Sequence, residues 1–160
     1  MRVLVCGGRY YGMIPKGTPR HTLEWRNAAR HAEEERAFMF AALAKFDGLH
    51  GIQLVIHGAA SGADGNAAEW ATDNGIEVRS FPADWQDISH PDARVKTLPG
   101  GRRYDANAGP RRNRRMLREG RPDVVIAFKG GKGTADMIAA ATEAGVEIIA
   151  PEKVVYLTAS

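Results

Sequence analysis

The residues most able to do chemistry in this 160-residue chain lie in two neighbouring stretches, GPRRNRRMLREG at 109–120 and DVVIAFKGGKGTADMI at 123–138. In the second, a short apolar run at 123–128 is bounded by Arg121-Pro122 and by Gly130-Gly131, the pattern of a buried parallel strand. Glycines after such a strand let the backbone turn sharply and let a ligand approach it closely. Thr134 is expected to cap the following helix, with Asp136 in its first turn, where a carboxylate is favoured. A glycine-rich strand-to-helix turn leaves N–H groups free at a helix N-terminus, and such a turn holds anions. Phosphate binding by Gly130, Gly131, Gly133 and Thr134 is the chemistry this predicts. The first stretch supplies guanidinium: residues 102–121 carry eight arginines against Asp105 and Glu119. That excess suits an anionic partner, whether a mononucleotide, a dinucleotide or a nucleic-acid backbone.

Within the arginine run, Arg112 is the expected ligand contact. Pro110 suits the first helical position, which sets Arg112 in the first turn, able to grip phosphate or carboxylate with two nitrogens. Asn113 is expected to orient a loop or the ligand. Two further glycine turns end apolar runs, Gly7-Gly8-Arg9 and the Gly58–Asp64 turn with Ser61 and Gly62. Arg9 could add a second guanidinium. His57 and Asp64 could form an acid–base or ribose-binding pair, or serve as a strand-end histidine and a helix-capping carboxylate. Tyr10 and Tyr11 could stack on a base or pack internally. GGKGT is not the phosphate loop of nucleotide hydrolases, because Lys132 precedes Gly133 and Ile126 occupies the required glycine position. The five histidines are scattered without a carboxylate or cysteine cluster at ligand spacing, so no metal is expected.

These residues need a scaffold of alternating strands and helices. Strands are expected at 2–6, 53–56, 76–81, 123–128 and 146–150, with a possible edge strand at 154–157. Helices are expected at 20–46, 61–74, 109–120 and 134–144, with Gly75 and Gly145 ending two of them. Residues 83–108 read as one long irregular segment. The pattern is α/β: a mostly parallel sheet of five to six strands with helices on both faces, in one domain over 1–160. Composition is that of a globular protein, 44% hydrophobic and 26% charged with net charge +3. No apolar run suits a membrane span, and the chain opens on a strand pattern rather than a signal peptide. Cys6 is the single cysteine, which excludes an internal disulfide and fits a reducing, cytoplasmic setting.

Four motifs in order, VCGGRYY at 5–11, HGAASGAD at 57–64, GPRRNRRM at 109–116 and GGKGTADM at 130–137, resemble the LOG-like SLOG superfamily, in its YspA, cpYpsA-related branch. The resemblance implies a Rossmann-like three-layer sandwich, with residues 12–40 as an insertion that could form a lid or a subunit contact. It also implies a homodimer. LOG-type phosphoribohydrolases carry an Arg-Lys pair and G-G-x-G-T-x-x-E. Here the arginine matches Arg112, but Asn113 stands at the lysine and Met137 at the glutamate. Met137 cannot stabilise an oxocarbenium-like centre, and Asp136, one residue away on a helix, would face elsewhere.

The reading is a domain that binds or senses a nucleotide or nucleotide derivative, such as a mononucleotide or an ADP-ribose- or NAD-type molecule, with no cofactor required. One alternative is an N-glycosidase that uses Asp64 or Asp136. Another is binding of single-stranded nucleic acid, since DNA-processing DprA proteins have a similar core; the run's lack of aromatics other than Tyr104 counts against it.

Overall fold

Every residue of Arg2–Cys6 is apolar after Arg2, and the run forms the central strand, β1. A computed structural model describes residues 1–156. The other strands are β2 (Leu54–His57), β3 (Glu77–Ser80), β4 (Val95–Thr97), β5 (Arg103–Asp105), β6 (Val124–Ala127) and β7 (Glu147–Ile149). The helices are α1 (Leu23–His50), α2 (Ala63–Asp73), α3 (Ala108–Arg115), α4 (Lys132–Glu143) and α5 (Pro151–Val155); α3 runs on into a π-helical turn, Met116–Gly120. The main sheet has order β3-β2-β1-β6-β7 with all pairs parallel, a Rossmann-like α/β arrangement.

Both faces of β1 are covered, which is why its sequence does not alternate. Val3 and Val5 pack with Met39, Leu43 and Phe46 of α1, Ala67 and Trp70 of α2, and Val154 of α5. Leu4 and Cys6 pack on the other face with Met116, Met137 and Ala141. The chain changes face after β3, so the strand order reverses between β1 and β6. In sheets of this kind ligands bind beyond the carboxyl ends of the strands at that reversal.

Several elements differ from the sequence expectation. Helix α1 starts at Leu23 because Thr22 Oγ1 accepts the Trp25 amide at 3.1 Å, and it runs to His50 before Gly51. Residues 83–108 contain the antiparallel β4–β5 hairpin. The hairpin is anchored by the fully buried Asp105, which accepts the amides of Arg94 and Asn107 at 2.9 and 2.8 Å and pairs with Arg111 at 2.5 Å. Burial pushes this carboxyl up, but the two amides and Arg111 outweigh it and hold it below the ordinary carboxylate value. The supposed edge strand is helix α5, since Pro151 suits a first helical position and Val154 turns into the α1 side of the core. Leu157 of that expectation lies outside the described residues. No helix among the described residues is long and apolar enough to cross a membrane.

Candidate functional site

The three glycine turns meet at the carboxyl rim of the sheet, beside the reversal between β1 and β6. Gly8 N donates to Lys129 O at 2.9 Å, which joins the first turn to the third. Ala63 N donates to Gly8 O at 3.1 Å and Ser61 Oγ to Arg9 O at 2.8 Å, which joins the second to the first. Gly130 lies so close that a Cβ on it would stand 2.8 Å from Gly8 N.

Most of the amides in the first two turns are already satisfied. Asp64 Oδ2 accepts from Gly58 N at 3.0 Å and Ala60 N at 3.1 Å, and Met13 Sδ accepts from Gly62 N at 3.0 Å. His57 Nδ1 accepts from Ala59 N at 3.0 Å, which leaves the ring proton on Nε2. The histidine is therefore a capping group, kept neutral because burial and then Arg112 lower its pKa. Nothing in the sequence marked Met13 as a partner of this turn; Asn66, which donates to Tyr11 O at 2.9 Å, could have been found from its place near Asp64 on α2. Tyr11 is buried against Phe128, so of the two tyrosines Tyr10 alone is exposed.

Arg112 does not stand in the first turn. Helix α3 begins at Ala108, so Pro110 is its third residue and Arg112 its fifth. The guanidinium turns inward and donates to Gly58 O, to Phe81 O at 3.2 Å and to Asn113 Oδ1 at 3.0 Å. Asn113 is buried and donates to Asp136 Oδ2 at 2.9 Å and Gly133 O at 3.3 Å, so it braces α3 on α4. Thr134 and Asp136 also sit three positions deeper than expected. Helix α4 begins at Lys132 after Gly131, with no side-chain cap, so Thr134 is the third residue and Asp136 the fifth. Asp136 is held by Asn113 and by Arg114 at 3.3 Å.

What stays open is the start of α4. Among the described residues no acceptor meets the amides of Gly131, Lys132 and Gly133, which are exposed. A Cβ on Gly131 or Gly133 would meet nothing within 4 Å. Arg9 on the first turn and Lys129 and Lys132 on the third are exposed and form no ion pair among the described residues. Helix dipole and cations together favour an anion here.

A family model described as the YspA, cpYpsA-related SLOG family matches residues 1–87. The chain belongs to this family. The match spans the first two glycine turns and ends before Arg112 and the Gly130–Thr134 turn. The chain is also similar to the crystal structure of DNA processing protein A (DprA) from Streptococcus pneumoniae, with a TM-score of 0.55 and 19% identity. That likeness shows the fold; it covers 92% of this chain and 48% of the other, so the SLOG chain spans about half of that protein's length. No curated protein matches the chain. Among the described residues of this SLOG protein, no group of three or more His, Cys, Asp and Glu could hold a metal.

The SLOG site also holds one perturbed carboxyl. Burial pushes Asp64 up from 3.8 to about 6, against the pull of the Ala60 amide, Arg112 and the Gly58 amide. Because the folded state holds this proton more tightly than the unfolded chain, the stabilising contribution is present below pH 3.8 and is lost as pH rises to about 6. The stability of Asp64→Asn relative to the natural protein is therefore expected to rise by up to about 3 kcal/mol between pH 3.5 and 7, read from urea unfolding. A pH-independent difference would show that Asp64 titrates normally.

Proposed function

We propose that this SLOG chain binds a phosphate-bearing nucleotide or nucleotide derivative, a mononucleotide or an ADP-ribose- or NAD-type molecule, as a binding or sensing domain. The observation that carries the proposal is the open start of α4, where Gly131, Lys132 and Gly133 are exposed and their amides have no acceptor among the described residues, with exposed Arg9, Lys129 and Lys132 on the turns that meet there. A phosphate there would accept backbone hydrogen bonds and meet lysine and arginine. The roles of Gly7, Gly8, Gly58, Ser61, Gly62, Asp64, Arg112 and Asn113 would then be to hold the three turns in register beneath it. Exposed Tyr10 offers a face for a base.

Binding is favoured over turnover by the state of the carboxylates. Met137, at the position of the phosphoribohydrolase glutamate, is buried in the core with Leu4 and Met116. Asp136 is tied to Asn113 and Arg114, and Asp64 to two amides. Nucleic-acid binding has less support, because Arg111 and Arg114 pair with carboxylates within the protein and Asp84, Asp87 and Asp92 lie beside the basic run. The proposal includes a cytoplasmic setting and a homodimer, the latter checked by sedimentation.

Gly131→Asp tests the site with the protein's own anion. The backbone at Gly131 has φ −102°, a Cβ meets nothing, and aspartate is a good N-cap. Folding stability is expected to stay level or rise by a few tenths of a kcal/mol. Affinity for AMP, ADP-ribose or NAD, measured by calorimetry, is expected to fall at least about tenfold. Nucleotide binding that survives this change would place the phosphate elsewhere; absence of binding by the unaltered protein to all three ligands would end the proposal.

A further inference from the structure

Three guanidinium groups surround one carboxylate at the β3 edge of the sheet, at separations too long for hydrogen bonds. Glu119 Oε2 lies 3.9 Å from Arg79 Nη2 and 3.9 Å from Arg115 Nε, and Oε1 lies 3.6 Å from Arg118 Nη2. Direct N–H···O bonds close to roughly 2.7–3.2 Å. Arg115 Nε is buried, and no acceptor bonds to it among the described residues. Packing brings these like charges together: Arg79 and Arg115 both lie over the Phe81 ring, 4.8 and 5.2 Å from its centroid. Glu119 therefore offsets only part of the charge of Arg115 and Arg118, and an anion beside them would relieve the rest.

Arg115 and Arg118 open onto a cleft of about 530 Å³ between α3 with its π turn and the segment after β3. That volume suits a small molecule. Arg114 joins them from the helical side, while Asp84, Asp87 and Asp92 line the cleft from the other segment. Asp92 pairs with Arg111 at 2.7 Å and Asp87 accepts from Ser89, which leaves Asp84 without a partner among the described residues. None of the glycines in the three turns lines this space.

We propose that this cleft is a second ligand site, for a small phosphomonoester bearing hydroxyl groups, in the manner of a sugar phosphate. The phosphate would sit on Arg115 and Arg118, whose planar forks match its oxygens. The hydroxyls would donate to Asp84 and Asp87, which as carboxylates can only accept. The same aspartates repel a long polyanion, so the cleft selects a short ligand with its charge at one end. The cleft's lining includes Arg112 and Arg114 but none of Gly131, Lys132 and Gly133, and the assignment stands whether or not a nucleotide binds at the α4 amides.

Ribose 5-phosphate, titrated calorimetrically into the full chain with inorganic phosphate as reference, tests the assignment. Saturable binding tighter than that of inorganic phosphate is expected, weakened about tenfold or more in Arg118→Ala and Arg115→Gln. It should persist in Gly131→Asp, and Asp84→Asn should bring the sugar phosphate closer to inorganic phosphate. The Arg118 side chain is 71% exposed, so its removal leaves the fold intact. Arg118→Ala binding as tightly as the natural protein overturns the site, whatever Arg115→Gln does. So does loss of binding in Gly131→Asp alone, which would seat the phosphate on α4, and so does an absence of saturable heat up to about 10 mM.

Discussion

Gly62→Val is expected to destabilise the protein by about 4 kcal/mol, combining left-handed backbone strain with an overpacked contact. Gly62 has φ 72°, and a Cβ on it would stand 2.5 Å from the Arg9 carbonyl carbon and closer to Gly8 O. Backbone atoms cannot swing aside as a side-chain tip can, so the first and second turns would have to separate. The midpoint of thermal unfolding should fall by roughly 12 °C. Gly131→Asp, at a glycine in open space, serves as the control. A Gly62→Val protein that melts with the control would mean that the two turns do not pack as described.

Arg112→Ala is the second large effect. The substitution removes donors from Gly58 O and Phe81 O and takes a positive charge from beside buried Asp64. The expected cost is about 3–5 kcal/mol, since orphaned buried acceptors and an uncompensated carboxylate both oppose folding. Arg112→Lys should recover little of it, because one ammonium cannot reproduce the guanidinium fork that spans β2, β3 and Asn113. Chemical denaturation with and without ligand separates this from a binding role. Full stability with lost nucleotide affinity would restore Arg112 as a direct ligand contact.

The arginine shows where local reasoning ends. Its place in a basic run after Gly109-Pro110 made it look like a side chain reaching outward for phosphate. The helix, however, starts at Ala108, so Arg112 lies past its first turn, and the packing of α3 on the sheet brings its guanidinium to the carbonyls just after β2 and β3. Helix α4 repeats the lesson, since its start at Lys132 moves Thr134 and Asp136 three positions into the helix. Only the first turn of a helix leaves backbone amides free, so a shift of two or three positions in where a helix begins is enough to exchange a ligand contact for a structural one.

The glycine-turn motifs and the apolar runs of β1, β2 and β6 were legible directly, because a strand covered on both faces must be apolar throughout and a strand-to-helix turn needs glycine at close approach. From these the parallel α/β sheet and the convergence of three turns on one rim follow. Tertiary structure alone decided which amides in those turns stay open. Met13 and Lys129 reach the first two turns from 49 and 121 residues away along the chain, and such pairings carry no local periodicity. It also decided that Met137 faces the core and that the arginines after β3 divide between structural pairing and the edge of a cleft. Strand and turn are set by neighbours in the chain, whereas a charged side chain's partner is set by whichever distant group the packed core brings within reach.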